Sequence, residues 1–236
     1  MIKLKRSQKT KLKTVYEPSY WDKVAENLDA EHIKLASYDQ TMLPAMGEVK
    51  GRHILDYGSG PGILAKALKE RGAVVKALDS SKRMRQLCGQ KIGDEHVFKH
   101  PTEISDSQFD RIICNLVLCI VGDNEINGIL ENIRRMLKTD GIAYVGFCNP
   151  LIFDVTESQL DLRCSTDNNY FDNHYYEKTK KEGGYKLIEL HRPIEWYVTQ
   201  MFMARLRLRN MLFTPEYNLN GTKIRDFVIF ELEAIK

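Results

Sequence analysis

Three glycines at alternating positions, preceded by an acid, form the stretch of this chain best suited to chemistry. The stretch reads Asp56-Tyr57-Gly58-Ser59-Gly60-Pro61-Gly62. Glycine lets the backbone turn sharply and approach a ligand closely. A helical pattern begins directly after Gly62, and the free N–H groups of a helix N-terminus can bind polar ligand atoms. The stretch therefore predicts a ligand-binding loop between a strand and a helix.

The glycine spacing disfavours a dinucleotide as the ligand. Dinucleotide-binding loops use Gly-x-Gly-x-x-Gly, and Ile63 stands where the third glycine would be. Asp56 would also repel a pyrophosphate, whereas it would attract the positive end of a ligand. A second acid, Asp79, ends the next predicted strand, where its two oxygens could accept both hydroxyls of a ribose. The alternative for Asp79 is a helix N-cap.

The loop resembles the first motif of the class I S-adenosylmethionine-dependent methyltransferases, and the chain is similar to that family from about residue 50 to residue 148. The resemblance implies S-adenosylmethionine as methyl donor, S-adenosylhomocysteine as product, and no metal. By this resemblance, the matching positions would contact the methionyl part, the ribose and the adenine of the cofactor. The implied cofactor-binding residues are Tyr20, Asp56, Gly58, Ser59, Gly60, Asp79, Ser80, Met84, Thr102, Glu103, Asn115 and Leu116. Trp21 is the alternative to Tyr20 for closing over the cofactor from the N-terminal helix.

A segment rich in aromatic and titratable residues, 170–176, precedes a predicted hairpin and suggests an acceptor site. His174 and His191 are the candidate general bases, because an imidazole titrates near neutral pH. His191-Arg192-Pro193 resembles a segment found before the last helix in many small-molecule methyltransferases. The alternative for both histidines is a surface or hydrogen-bonded structural role.

Three functions stay open at this point. The favoured one is methyl transfer by in-line displacement to O, N or C of a small molecule. Asn115-Leu116-Val117-Leu118 lacks the prolines and aromatic residue that many base-modifying methyltransferases carry there, which disfavours nucleic-acid bases as acceptors. Methyl transfer to RNA or protein remains an alternative, in which the basic residues of segment 3–13 would dock that acceptor. The third function is a non-catalytic cofactor-binding module.

Alternating strands and helices surround these residues. Apolar runs ending at Asp56, at Asp79, near Lys99, at Cys114 and at Phe147 predict parallel strands, separated by helical patterns. Lys138–Gly141 predicts the turn before the fifth strand. The hairpin (175–180 and 185–191), a helix over Pro193–Met203 and two late strands (205–209 and 226–232) follow.

The predicted fold is an α/β, Rossmann-like, doubly wound seven-stranded sheet, mostly parallel, with an antiparallel edge strand and a lid insertion after the fifth strand. We expect a single domain over 1–236. Its predicted parts are an N-terminal helical cap (1–48), a cofactor-binding core (51–148), a substrate lid (150–192), and a last helix with edge strands (193–236).

The composition indicates the cellular compartment that we expect for this chain. The five cysteines are an odd number without a Cys-x-x-Cys pair, which indicates reduced thiols. No secretory signal and no apolar run of about 20 residues is visible, so we expect a cytoplasmic protein that does not span a membrane. The oligomeric state stays open between monomer and homodimer.

Overall fold

The structure is a computed structural model that describes residues 17–26, 40–164, 168–181 and 184–235. The basic segment 3–13, the middle of the predicted N-terminal helix and the hairpin tip at 182–183 lie outside the described residues. Six α-helices are described: α1 (Pro18–Glu26), α2 (Met42–Ala45), α3 (Ile63–Glu70), α4 (Lys82–Ile92), α5 (Asp123–Met136) and α6 (Ile194–Met203).

Twelve strands occur in the same residues, in three sheets. They are β1 (His53–Tyr57), β2 (Val74–Leu78), β3 (Val97–Phe98), β4 (Phe109–Asn115), β5 (Leu137–Cys148), β6 (Asp161–Arg163), β7 (His174–Lys180), β8 (Lys186–His191), β9 (Leu206–Phe213), β10 (Tyr217–Leu219), β11 (Thr222–Ile224) and β12 (Phe227–Ala234).

The main sheet has the strand order β3-β2-β1-β4-β5-β12-β9. The strands β1 to β5 pair in parallel, and β12 is antiparallel to both β5 and β9. The seven-stranded, mostly parallel fold is confirmed, and the two late strands form the antiparallel pair at the sheet edge. The reversed strand β12 itself is second from that edge. Strand order reverses between β1 and β4, so the loops after these strands open a crevice.

Alternation along β5 explains the two-sided core. Ala143, Val145 and Phe147 face a cluster that includes α5 and α6. Ile142 and Tyr144, the intervening residues, face the cluster with α2, α3 and α4. Side chains of a strand point to opposite faces in turn, so one apolar run fills both layers. This two-sided burial is why the core strands read as continuous apolar runs.

Two boundaries differ from the sequence-based expectation. The predicted turn Lys138–Gly141 belongs to β5, which follows α5 directly, with a register shift against β4 between Phe109 and Arg111. A Cβ on Gly141 would lie 2.9 Å from the Phe109 carbonyl oxygen, so glycine permits this irregular pairing. The third strand is only Val97–Phe98, because Asp94–His96 forms a 3₁₀ turn.

A second sheet, β6-β7-β8, is antiparallel and lies in the segment predicted as a lid. Its β7–β8 pair confirms the predicted hairpin, with His174 opposite His191 and Tyr176 opposite Glu189. Among the helices of the described residues, none combines the length and apolar character needed to cross a membrane.

Candidate functional site

A cavity of about 620 Å³ opens at the carboxyl ends of β1, β2 and β4. This volume lies within the range of about 300–1,000 Å³ typical of small-molecule sites. The crevice arises where the strand order reverses, as the parallel topology requires. Nine of the twelve predicted cofactor-binding residues line it: Asp56, Gly58, Ser59, Gly60, Asp79, Ser80, Met84, Asn115 and Leu116.

The glycine loop is shaped by positions that only glycine can fill. Gly58 and Gly62 have φ of +74° and +78°, in the left-handed region. A Cβ on Gly58 would lie 2.3 Å from Val117 Cγ2, and one on Gly62 would lie 2.9 Å from the Cα of Cys88. The alternating glycines therefore bring the loop close to both the loop after β4 and helix α4.

Asp79 is held at the rim of the cavity by two backbone donors. Its Oδ2 accepts the N–H of Gly60 and its Oδ1 accepts the N–H of Ser81, both at 2.8 Å. A carboxylate oxygen has two lone pairs, so each oxygen can accept a further hydrogen bond. Ser81 provides the N-cap of α4 through its side chain, which leaves Asp79 available to a ligand. Burial raises the pKa of Asp79, and the two N–H donors oppose that rise.

Asp56 is a buried acid without enough partners. Only 2% of the residue is exposed, and its Oδ2 has no hydrogen-bond partner among the described residues. Burial, followed by repulsion from Asp79, raises the pKa of Asp56 to about 7. Asn115 Oδ1 is also buried, and no donor among the described residues bonds to it. Because Asp56 and Asn115 both line the cavity, this end of it is rich in acceptor groups and suits a ligand that carries a cationic N–H group.

The N-terminal helix covers the cavity from one side. Trp21 and Val24 line it, and Asp22 Oδ1 accepts hydrogen bonds from Ser81 Oγ at 2.6 Å and from the Arg83 N–H at 2.8 Å. Tyr20 does not line the cavity. Its hydroxyl donates to the carbonyl of Lys186 and so ties α1 to β8. The structure therefore places the alternative residue, Trp21, beside the cavity.

Thr102 and Glu103 also lie outside the cavity lining. Glu103 Oε2 accepts the N–H groups of Lys99 and His100, at 2.8 and 3.0 Å, and stabilises a 3₁₀ turn that begins at Pro101. This turn directs the Glu103 carboxylate back to its own backbone. The residues that face the cavity are the three that precede Thr102. Those lining residues are Lys99, His100 and Pro101.

The loop after β4 provides an apolar wall. Leu116 has a φ of +57° and donates its N–H to the Gly146 carbonyl at 2.8 Å, which turns the chain across the end of the sheet. The sequence reasoning found Asn115 and Leu116 but missed the residues that follow. An apolar run after a strand looks the same whether it packs in the core or lines a cavity. The missed residues of this wall are Val117, Ile120 and Val121, and Glu125 and Ile129 of helix α5 line the cavity next to it.

The hairpin closes the opposite side with Lys180, Tyr185, Leu187 and Glu189. Glu189 is 2% exposed. Its Oε1 lies 2.6 Å from Lys178 Nζ and its Oε2 accepts the Tyr176 hydroxyl at 2.5 Å. Burial favours the neutral acid, but the Lys178 ammonium outweighs it and lowers the pKa of Glu189. An ionised carboxylate therefore stands at the wall of the cavity.

The two candidate bases are not brought to this cavity. Neither His174 nor His191 lines it; the two rings stack on each other with centroids 4.7 Å apart. His174 Nδ1 lies 2.7 Å from the Asp172 carbonyl oxygen, and His191 Nε2 lies 2.7 Å from that of Tyr170. Burial lowers the pKa of His191 to about 4. The geometry favours the alternative role, that of hydrogen-bonded structural histidines.

Arg192 shows what the His-Arg-Pro segment does in this fold. The side chain is fully buried, donates to the carbonyls of Leu118 and Val121, and contacts Asp123 Oδ1 at 2.8 Å. Its guanidinium also lies over the ring of Trp196. Arg192 thus joins the start of α6 to the loop that forms the apolar wall.

Comparison with known proteins agrees with this site. Residues 55–145 match a family described as a methyltransferase domain. The chain is 27% identical to a demethylmenaquinone methyltransferase of Tropheryma whipplei, over 58% of this chain and 59% of that protein. It is 27% identical to a ubiquinone biosynthesis O-methyltransferase of Glaesserella parasuis, over 42% and 46%. The chain therefore spans about half the length of the curated relatives it matches.

The fold is also found in solved structures. One is a Burkholderia thailandensis 1,6-didemethyltoxoflavin-N1-methyltransferase with bound 1,6-didemethyltoxoflavin and S-adenosylhomocysteine. Its TM-score is 0.62 at 13% identity, over the whole of this chain and 93% of that one. At this identity the likeness concerns the fold alone.

Proposed function

We propose that this chain, whose residues 55–145 match a family described as a methyltransferase domain, transfers a methyl group from S-adenosylmethionine to a small molecule. One observation carries the proposal. The glycine loop, the carboxylate residues Asp79 and Asp56, and Asn115 line one cavity. These groups match a ligand with a ribose at one end and a cationic amino acid at the other.

Each end of the cofactor has complementary residues. Asp79 would accept the ribose hydroxyls with the lone pairs that Gly60 and Ser81 leave free. Asp56 and Asn115 would accept from the ammonium group, which would favour the ionised form of Asp56. Met84 and the loop Lys99–Pro101 line the part of the cavity assigned to the adenine. The nine predicted cofactor-binding residues that line the cavity are retained in this proposal, with Trp21 in the place of Tyr20.

The chain's contribution to catalysis would be alignment and exclusion of water. When bound, the cofactor supplies a methyl group on a positively charged sulfur, open to in-line attack. Val121, Ile129 and Leu187 form apolar walls that would keep water from the acceptor. Lys180 and Glu189 offer polar groups on the same side and would orient it. The histidines away from the cavity are not needed for this step.

A small acceptor is favoured by enclosure. Helix α1 and the hairpin both line the cavity, and the Tyr20 hydroxyl joins the two elements next to it. Two matched relatives are named for quinone-pathway acceptors, which supports the same class. The acceptor would be a molecule with an apolar body and a polar group that reaches Lys180 or Glu189.

Calorimetry with S-adenosylhomocysteine tests the cofactor assignment. The wild-type protein should bind it, and Asp79→Asn should weaken binding about 10-fold or more, since hydrogen bonds to a charged group contribute roughly 1.5–3 kcal/mol. Glu103→Gln is the matched control, because it makes the same change in a carboxylate that does not line the cavity. Absence of binding by the wild type would overturn the proposed cofactor, and equal effects would overturn the role of Asp79.

Turnover separates an enzyme from a binding module. S-adenosylmethionine labelled in its methyl group should transfer label to a member of a panel of phenols, quinols and amines. Tight cofactor binding without transfer across the whole panel would favour the non-catalytic module.

A further inference from the structure

A cluster of ionic side chains lies buried between the second sheet and the end of β5. Lys178 Nζ lies 2.6 Å from Glu189 Oε1 and 3.3 Å from Asp161 Oδ2, and Lys180 Nζ lies 2.9 Å from Asp161 Oδ1. Arg163, 8% exposed, is the third cation. Lys178 and Arg163 balance the buried carboxylates Asp161 and Glu189, and Lys180, which also lines the cavity, adds a further positive charge at the edge of the cluster.

Two thiols lie beside this cluster, and one of them, Cys148, lies 3.6 Å from Glu189 Oε1. Cys148 Sγ lies 3.1 Å from Lys178 Nζ. The sulfur of Cys119 lies within 4.8 Å of Cys148 Sγ. A hydrogen bond from Cys119 and the charges of Lys178 and Lys180 together lower the pKa of Cys148 despite its burial. The contact with the Lys178 ammonium would stabilise a thiolate at Cys148, and the thiolate is the reactive form of cysteine.

A metal ion is the other chemistry that this group of atoms suggests. Cys119, Cys148 and Glu189 each offer a ligand atom, and these atoms lie within 4.8 Å of one another. The Lys178 ammonium already contacts two of the three, Cys148 and Glu189. A divalent cation would have to displace that ammonium or lie beside it, so the arrangement favours thiol chemistry.

We propose that Cys148 and Cys119 form a peroxide-reactive thiol pair that closes to a disulfide and thereby controls the cofactor cavity. The oxidant is hydrogen peroxide or an organic hydroperoxide. The Cys148 thiolate attacks one peroxide oxygen, the O–O bond breaks, and the other oxygen leaves as hydroxide or alkoxide and takes a proton from solvent. The Cys119 sulfur then attacks the sulfenic sulfur, the S–S bond forms, and water leaves with the Cys119 proton.

The link to the cavity runs through the loop after β4. The Cys119 sulfur lies 3.5 Å from the Leu116 carbonyl oxygen, and the Cys119 carbonyl accepts the Leu190 N–H at 2.9 Å. Leu116 lines the cavity. A disulfide needs the two sulfurs about 2 Å apart, so closure draws Cys119 away from Leu116 and shifts the apolar wall. This effect on the cofactor rests on the proposed function, whereas the disulfide does not.

The other cysteines provide internal controls. Burial raises the pKa of Cys88 to about 12 and raises that of Cys114 as well, so neither favours a thiolate. Cys164 is exposed. If exposure alone decided which thiol is oxidised, Cys164 would react first. We expect Cys148 to react instead because its sulfur contacts the Lys178 ammonium.

Peroxide treatment of the whole reduced chain tests the proposal. Intact mass should fall by about 2 Da for the two hydrogens lost. Peptide mapping without reductant should join the Cys119 and Cys148 peptides. Affinity for S-adenosylhomocysteine should weaken at least about 3-fold and recover with dithiothreitol. Cys164→Ser should behave as the wild type, and Cys119→Ser should stop at a sulfenic acid on Cys148.

The wild-type peptide map decides the question even if a variant folds poorly. Oxidation confined to Cys164, with Cys119 and Cys148 still open to alkylation after unfolding, would overturn the proposal. A disulfide that leaves cofactor affinity unchanged would overturn its control of the cavity. A disulfide in a protein whose reduced form does not bind S-adenosylhomocysteine would count against the proposed function alone.

Discussion

Replacing Asp56 by asparagine should stabilise the ligand-free protein, and by more at pH 8 than at pH 5. The folded protein raises the pKa of this carboxyl from 3.8 to about 7. Between these values the folded state holds a proton that the unfolded state has lost, so the stability of the wild type falls as pH rises through this window. Asparagine is neutral throughout and carries no such dependence.

The magnitude follows from the two pKa values. Each tenfold change in proton affinity corresponds to about 1.36 kcal/mol. At pH 8 the wild type carries the full cost of the ionised, buried acid, about 4 kcal/mol, and at pH 5 it carries about 2 kcal/mol. The advantage of Asp56→Asn should therefore grow by about 2–3 kcal/mol between the two pH values. Any constant effect of the amide cancels in this difference.

Urea unfolding at pH 5 and pH 8, followed by circular dichroism, measures this difference directly. Asp110→Asn is the matched control. A hydrogen bond from the His53 N–H and the nearby Lys138 outweigh burial and lower the pKa of Asp110, so this acid is ionised at both pH values. Its removal should cost stability equally at both. An advantage of Asp56→Asn that does not change with pH would refute the reasoning. The same variant should bind S-adenosylhomocysteine more weakly, because it loses the carboxylate proposed to meet the ammonium.

Three further predictions concern packing and titration. Gly62→Ala should cost about 1–3 kcal/mol more than Gly51→Ala in urea unfolding, because both have positive φ but only the Cβ at 62 meets Cys88; equal losses would show that backbone strain alone sets the cost. Arg192→Lys should cost about 2–4 kcal/mol, since a buried guanidinium loses its forked contacts, while the exposed Arg207→Lys should cost under about 0.5 kcal/mol; thermal melts showing similar losses would contradict this. By NMR the His191 imidazole should stay neutral down to about pH 4, and a titration near 6.5 would argue against its burial.

Local signals in the sequence were enough for the sheet and the cofactor loop. Glycine spacing predicted the turn after β1, since positive φ at Gly58 and Gly62 is a local requirement. Apolar runs predicted the parallel strands, because a strand buried on both faces has few polar residues. Asp79 was predicted from its place at a strand end, and parallel strands bring such ends to one edge of the sheet. These inferences depend on neighbours along the chain.

Tertiary structure alone decided the role of the titratable residues in the hairpin. His174 and His191 looked like bases, yet the register pairs them opposite each other and away from the cavity. Glu189, which sequence reasoning passed over, lies at the cavity wall beside Lys178. The Cys148 sulfur contacts the ammonium of Lys178, which lies 30 residues further along the chain. The charge state and chemical role of a side chain depend on burial and on ions within a few ångströms, and folding brings these together from distant parts of the sequence.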